Sequence, residues 1–207
     1  GYNDWLGQMN NGSRDRSNVA NQFMSSAEFE NDRASVTRLY QAFFKRTPDY
    51  AGFNYWVDKK KQGQSLESIS NGFVASQEFA NTYGNLSNAQ FVNLVYQNAL
   101  NRAPDASGNQ TWLSGLNSGM SRGQMMLGIS ESAEFKTSSS NSVFTMMAHA
   151  GMLKRSPDAS ASSQWQSQLN SGASRTSLIN TIVGSQEYAN RFQGVACPTP
   201  TPTPTPT

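Results

Sequence analysis

Four tryptophans set the frame of this chain. Trp5, Trp56, Trp112 and Trp165 are each followed seven residues later by a glycine (Gly12, Gly63, Gly119 and Gly172). A Ser-x-Glu-aromatic motif comes next: SAEF from Ser26, SQEF from Ser76, SAEF from Ser132 and SQEY from Ser185. In the last three copies a proline (Pro48, Pro104 or Pro157) stands eight residues before the tryptophan, inside an Arg-x-Pro-Asp motif. Motifs that recur in one order at nearly fixed spacing mark tandem repeats, in which one supersecondary unit stacks on the next. The first copy lacks the Arg-x-Pro-Asp and the helix ahead of it. The chain therefore divides into a half-repeat (1–33), three repeats (34–86, 87–140 and 141–193) and a C-terminal segment of different composition (194–207).

Within one repeat the apolar spacing is helical. In NAQFVNLVYQNAL, from Asn88, the residues Phe91, Leu94, Val95 and Ala99 fall on one face. Arg-x-Pro-Asp breaks that helix, because proline cannot continue it and restricts the residue before it. A second helix carries Trp112 and Leu116 on one face and ends at Gly119. Ser121 and Gln124 match a capping box for a third helix with Met125 and Ile129 as its stripe. The stripe recurs as Val19/Phe23, Ile69/Phe73 and Leu178/Ile182. The Ser-x-Glu-aromatic motif starts a short fourth helix. Its serine is the cap, and Glu28, Glu78, Glu134 or Glu187 sits in the first turn, where the helix dipole favours an anion. Phe29, Phe79, Phe135 and Tyr188 are expected to plug the core. No useful period-two run appears, so the fold class is all-α: tandem repeats of about four short helices, each around one aromatic cluster.

The combination of an aromatic-rich helix leading into NRAPDASGNQTW, then LNSGMSR, then SAEF resembles the bacterial domain of unknown function DUF4214, over roughly residues 1–193. The resemblance implies small helical modules of secreted and cell-surface proteins, sometimes beside calcium-binding repeats, with no established reaction. It also implies a distant similarity to phycobilisome linker domains, which are helical and hold assemblies together. No calcium-binding glycine-aspartate nonapeptide occurs in this chain.

The repeated polar residues have a structural reading. Arg46, Arg102 and Arg155 lie three residues before Asp49, Asp105 and Asp158. The aspartate is expected to cap the tryptophan helix, and the arginine to pair with it or to bond nearby carbonyls. Thr47 and Ser156 are alternative caps, with proline in the first turn. A ligand-contact loop is the competing reading, weakened because Gly52 and Gly108 become Ala161 in the last copy. His149 is the only histidine and stands where the other repeats have Tyr40 and Tyr96, which reads as a packing substitution. With one histidine and one cysteine, a His-pair or Cys-based metal site has no support, and no cofactor is implied. No GxSxG nucleophile motif occurs, and the repeated glutamates stand in separate repeats, so a paired acid–base dyad is not expected. The methionines of the second half, such as Met125, Met126, Met146 and Met147, read as core filler. Lys59, Lys60 and Lys61 read as a solvated last turn. Tyr50, Phe53 and Tyr55 crowd around Trp56, and those that do not fit inside are candidate contacts to a glycan or another subunit.

Only 14% of residues are charged, and the net charge is +2, which creates no field that argues for nucleic acid. No apolar run approaches the roughly 20 residues needed to cross a bilayer. The chain starts at Gly1 rather than Met, consistent with a leader already removed. From Pro198 it alternates proline with Thr199, Thr201, Thr203, Thr205 and Thr207. Such a tract is extended, about 3.1 Å per residue, and suits an O-glycosylated stalk. Cys197 cannot form a disulfide within the chain, which leaves a free thiol or a bond to another chain. The half-repeat keeps Trp5, Phe23 and Phe29 without a first helix to cover them. These features together predict a non-enzymatic, extracellular or cell-surface structural subunit of a filament or surface layer, with other copies of itself as partner. The alternative is a carbohydrate-binding or adhesion module.

Overall fold

A computed structural model describes residues 2–193. The half-repeat consists of α1 (Tyr2–Asn10), α2 (Arg16–Met24) and α3 (Ala27–Phe29). A π-helical turn, Glu30–Ala34, carries α3 directly into α4 (Ser35–Phe44). The first repeat continues with α5 (Tyr50–Lys61), α6 (Leu66–Val74) and α7 (Gln77–Tyr83). The second holds α8 (Asn88–Leu100), α9 (Ala106–Asn117) and α10 (Arg122–Ser130). Its fourth helix fuses with the first helix of the next repeat to make the 21-residue α11 (Ala133–Leu153). The third repeat ends with α12 (Ala159–Asn170), α13 (Arg175–Val183) and α14 (Gln186–Asn190). The described residues contain no strand, and none of their helices is long and apolar enough to cross a membrane.

The helix boundaries follow local chemistry. Asp49, Asp105 and Asp158 accept from the backbone N–H of Gly52, Gly108 and Ala161 at 2.8, 2.9 and 2.8 Å, as expected of N-caps. The serines Ser26, Ser76, Ser132 and Ser185 cap their helices in the same way. Ser121 and Gln124 form the expected capping box. Gly12, Gly63, Gly119 and Gly172 close the tryptophan helices with positive φ. The first helix of each repeat ends on a left-handed residue that is not glycine: Lys45, Asn101 and Lys154, at φ 51°, 53° and 57°. Each stands immediately before the repeat arginine and turns the chain so that this arginine leaves the helix sideways.

The cores differ from the expected one cluster per repeat. One core joins the first and second repeats, with Leu39, Phe43, Phe53, Phe73, Phe91 and Met125 inside. The other joins the half-repeat to the third repeat, with Met24, Phe29, Phe144, Leu178 and Ile182 inside. The third helices make the pairs: α6 packs on α10, and α2 on α13. A helix of nine residues, such as α6 or α10, buries only one narrow stripe. Two repeats must pool their stripes, since each fully buried large apolar side chain contributes about 1.5–3 kcal/mol. The α6–α10 seam is close, with the Ser70 hydroxyl donating to the Gly123 carbonyl at 2.7 Å. Tyr188 falls short of expectation: it is only partly buried and lies at the edge of the second core.

The replacement of tyrosine by His149 is coupled to a second substitution. The Tyr40 hydroxyl lies where a Cβ on Gly52 would be, 2.6 Å away, and Tyr96 stands in the same relation to Gly108. Tyr96 also accepts from Trp112 Nε1 at 3.2 Å. In the third repeat the glycine is Ala161, and the smaller His149 sits at that place, 3% exposed, with Nδ1 2.8 Å from the Thr145 carbonyl. Restoring tyrosine alone should therefore overpack the site. We expect His149→Tyr to cost about 1–3 kcal/mol. Adding Ala161→Gly should recover much of that loss. Denaturant titration of the two single variants and the double variant reads the coupling directly, and strict additivity would count against it.

Candidate functional site: a repeated arginine–glutamate clamp and one open groove

The arginine of each Arg-x-Pro-Asp reaches a partner 32 residues away. Arg46 donates through Nε and Nη2 to both carboxylate oxygens of Glu78, at 2.7 and 2.8 Å. Arg102 holds Glu134 at 2.7 and 2.7 Å, and Arg155 holds Glu187 at 2.5 and 2.8 Å. The remaining Nη1 donates to the next carbonyl, of Thr47, Ala103 or Ser156. The expected bond to a nearby carbonyl is present in all three copies, and the expected Arg–Asp pair in two of them at longer range. Asp49 and Asp105 stand at 3.9 and 3.5 Å from the arginine, and Asp158 forms no ion pair with Arg155. The aspartate already bonds the helix N-terminus, and its short side chain does not offer the guanidinium a second parallel bond. The glutamate in the first turn of the fourth helix does.

The clamp closes each repeat by tying the end of its first helix to the start of its fourth. Arg46 and Arg102 also cover the Tyr40 and Tyr96 rings, at 5.3 and 5.1 Å. The arginine hydrogen bonds hold the Glu78, Glu134 and Glu187 carboxyls below their ordinary range, against a smaller opposing effect of burial. Burial, and then the charge of Asp49, push the Tyr40 hydroxyl up to about 12. Each clamp arginine and glutamate is about two-fifths exposed, so solvent screens the pair and its contribution to stability is small. Orientation is the larger effect.

A buried counterpart joins separate repeats. Arg38, 4% exposed, donates to Glu131 at 2.8 and 2.9 Å and to Glu30 at 2.5 Å. These three residues lie outside the repeated motifs, and sequence reasoning did not find them.

The other candidates separate. Trp56, Trp112 and Trp165 are all half-buried against the cores. Phe53 is fully buried, which removes it as a glycan or subunit contact: it faces inward on α5 with Val57, one helical turn away. Tyr50 is half-buried against the same core. Tyr55 alone of the three is largely exposed, edge-on to Trp56 at a ring distance of 4.9 Å. Cys197 and the tail threonines Thr199, Thr201, Thr203, Thr205 and Thr207 lie outside the described residues. Among the described residues no three His, Cys, Asp or Glu side chains converge to hold a metal ion.

One groove breaks the pattern. It has a volume of about 830 Å³ and is lined by the half-repeat and the end of the third repeat, with Met9, Val19, Phe23, Phe29, Met152 and Phe192 among its walls. Phe23 is 59% exposed, whereas its counterpart Phe73 is 2% exposed. The rings around Phe73 explain the difference. Tyr40, Phe43 and Phe44 of α4 lie at 4.7, 5.2 and 5.6 Å, with Trp56 at 5.1 Å. The described half-repeat has no counterpart of α4. Glu28 has lost its clamp as well: among the described residues it forms no ion pair, whereas Glu78, Glu134 and Glu187 each hold an arginine.

A sequence model of the family described as Domain of unknown function (DUF4214) matches residues 1–33, 30–78, 70–139 and 136–192. The chain belongs to the DUF4214 family. No curated protein and no solved structure matches it. The four matched segments follow the tryptophan frame, and the first of them coincides with the DUF4214 half-repeat that carries the open groove.

The clamps predict a specific acid response. A carboxyl with a folded pKa below its unfolded value of about 4.3 stabilises fully above that value. The contribution is lost as pH falls through the lower, folded value. The melting temperature should therefore drop as pH is taken below about 4, and the drop should be shallower in a Glu78→Gln/Glu134→Gln/Glu187→Gln variant. At neutral pH, Arg46→Ala and Glu78→Gln should each cost about 1 kcal/mol or less, and the pair together no more than their sum. Thermal melts followed by circular dichroism check both.

Proposed function

We propose that the chain is a non-enzymatic structural subunit of an extracellular filament or surface-layer-type assembly. The observation that carries this reading is the open apolar groove of the half-repeat. Equivalent surfaces in the first and second repeats are closed by α4 and α8, while the half-repeat leaves Phe23 exposed beside an apolar cleft. An apolar cleft between the half-repeat and the third repeat would serve as a joint between subunits. The low charge and the alternating Pro/Thr tract support a place outside the cell, with Thr199 to Thr207 carrying sugars on an extended stalk. Cys197, next to that tract in the sequence, would cross-link neighbouring subunits in this reading. The partners in this reading are other subunits, with glycans on the stalk, and neither nucleic acid nor membrane insertion is involved.

Electron microscopy of native cell-surface material, labelled with an antibody raised against the repeats, tests it. Label along filaments or sheets is expected. Label confined to soluble monomers in the medium would overturn it.

Tyr55 supports a second reading, a carbohydrate-binding or adhesion module. An exposed tyrosine edge-on to a tryptophan presents an aromatic face on which a sugar ring can stack. Binding on a glycan array that disappears in Tyr55→Ala would favour this reading over assembly.

A further inference from the structure

We propose that a second, smaller pocket, where the half-repeat meets α4, α11 and α13, binds the carboxylate of a small organic acid, with Arg175 as its anchor. The observation that carries this is an arginine without the partners its counterpart has. Arg122 and Arg175 hold the same place in the frame, directly after the capping serine of the third helix. Both lie over a core ring, Phe91 at 4.6 Å and Phe144 at 4.7 Å. Arg122 directs its donors to backbone carbonyls at the break between α7 and α8. Its Nη1 donates to Tyr83 at 2.8 Å, and its Nη2 donates to Leu86. The third repeat has no such break, because α11 runs on from Ala133 to Leu153. Carbonyls inside a continuous helix are already taken by its own hydrogen-bond ladder. Arg175 keeps its ring and one long bond, from Nη2 to the Ser140 carbonyl at 3.3 Å. Among the described residues it forms no ion pair. A guanidinium carries five N–H donors, so most of those on Arg175 have no partner among the described residues.

Arg175 lines a cavity of about 250 Å³, together with Glu30, Arg38 and Lys136 and an apolar floor that includes Phe144 and Met147. The charges around it do not balance. Glu131 accepts from Arg38 at 2.8 and 2.9 Å and pairs with Lys136 at 3.0 Å. Glu30 accepts from Arg38 at 2.5 Å. Three cations thus meet two carboxylates, and Arg175 is the cation left over. Burial pulls the Arg175 guanidinium below its ordinary pKa, against a smaller opposing pull from Glu30. An incoming anion would relieve that strain on the charge.

One surplus charge suits a monoanion. A phosphate or sulfate dianion would reverse the sign of the cluster and face Glu30 across a small cavity. A carboxylate is planar and takes two parallel bonds from a guanidinium fork. The apolar floor accommodates a compact ring or short chain behind it. Such a group comes from a free organic acid or from a uronic acid of a glycan, and both present the same chemistry to Arg175. The proposal stands apart from the assembly reading, since neither Arg175, Arg38, Lys136 nor Glu30 lines the groove beside Phe23.

Isothermal titration of the whole 207-residue chain with benzoate and with glucuronate tests it. Saturable binding at one site is expected. Benzoate alone would identify a free acid as the source, and glucuronate alone a glycan. Arg175→Gln should weaken binding about tenfold or more, the scale of a hydrogen bond to a charged group. Arg122→Gln, at the counterpart that already holds carbonyls, should leave the affinity unchanged. Two exposed positions keep the test independent of folding at Arg175. Lys136→Glu should abolish binding by cancelling the surplus charge. Glu30→Gln should tighten it by about threefold, because the cavity loses the carboxylate on its wall. Absence of saturable binding with either acid would overturn the proposal. So would equal binding of uncharged benzyl alcohol, tighter binding of sulfate than of both acids, or shifts of the same sign in Lys136→Glu and Glu30→Gln.

Discussion

A nine-residue helix turns about two and a half times and can bury one narrow stripe. The third helices of these repeats, α6, α10 and α13, are all of that length. No single repeat can enclose a core with them, so the repeats fold in pairs, α6 on α10 and α2 on α13. The half-repeat belongs to this scheme as the partner of the third repeat. The long α11 and the π-helical turn into α4 carry the chain from one core to the other without a loop. Arg38 fastens the crossing, since Glu30 precedes α4 and Glu131 precedes α11.

Short helices also leave many unpaired backbone groups for each buried side chain, and this explains the density of polar motifs. Every serine and aspartate of the repeated frame serves a helix N-terminus. The clamp adds what caps cannot, an angle between two helices. A fork-shaped guanidinium meeting both oxygens of one carboxylate fixes direction as well as distance. Its modest contribution to stability is consistent with three copies at the surface, where a buried pair would cost desolvation.

The helical class, the caps, the positive-φ glycines and the frame of three and a half repeats were legible in the sequence, because each is set by residues within one turn of the chain. The clamp was half legible. Arg and Glu were both singled out, but Arg was joined to the nearer Asp or to nearby carbonyls, and only the carbonyl bond holds in every copy. The signal against that choice was present: Arg46 to Glu78, Arg102 to Glu134 and Arg155 to Glu187 are all separated by 32 residues. The pairing of repeats into two cores was not legible, because α4, α8 and α11 show the same kind of apolar stripe whichever repeat they face. Phe53 was misplaced for a related reason. In an aromatic-rich helix such as YAGFNYW, composition does not say which ring points inward, and the turn from Phe53 to Val57 decides it.

The exchange at position 149 shows how tightly the repeats are specified. Tyrosine at this place requires glycine at the start of the tryptophan helix, because its hydroxyl occupies the space of a Cβ. The third repeat changed both residues, to His149 and Ala161, and kept the core closed. The half-repeat departs from the frame differently. It retains Phe23 and Glu28 with the character of their counterparts, although Phe23 is largely exposed beside the Phe29 ring and Glu28 forms no ion pair among the described residues. A largely exposed phenylalanine above an apolar groove is costly to keep in water. A residue freed from its packing role would tolerate a polar replacement, as the exposed Gln22 beside it shows against the Gly72 of the first repeat, which lies under Trp56. Phe23 differs from Phe73 in what surrounds it: the α4 rings that enclose Phe73 have no counterpart in the described half-repeat.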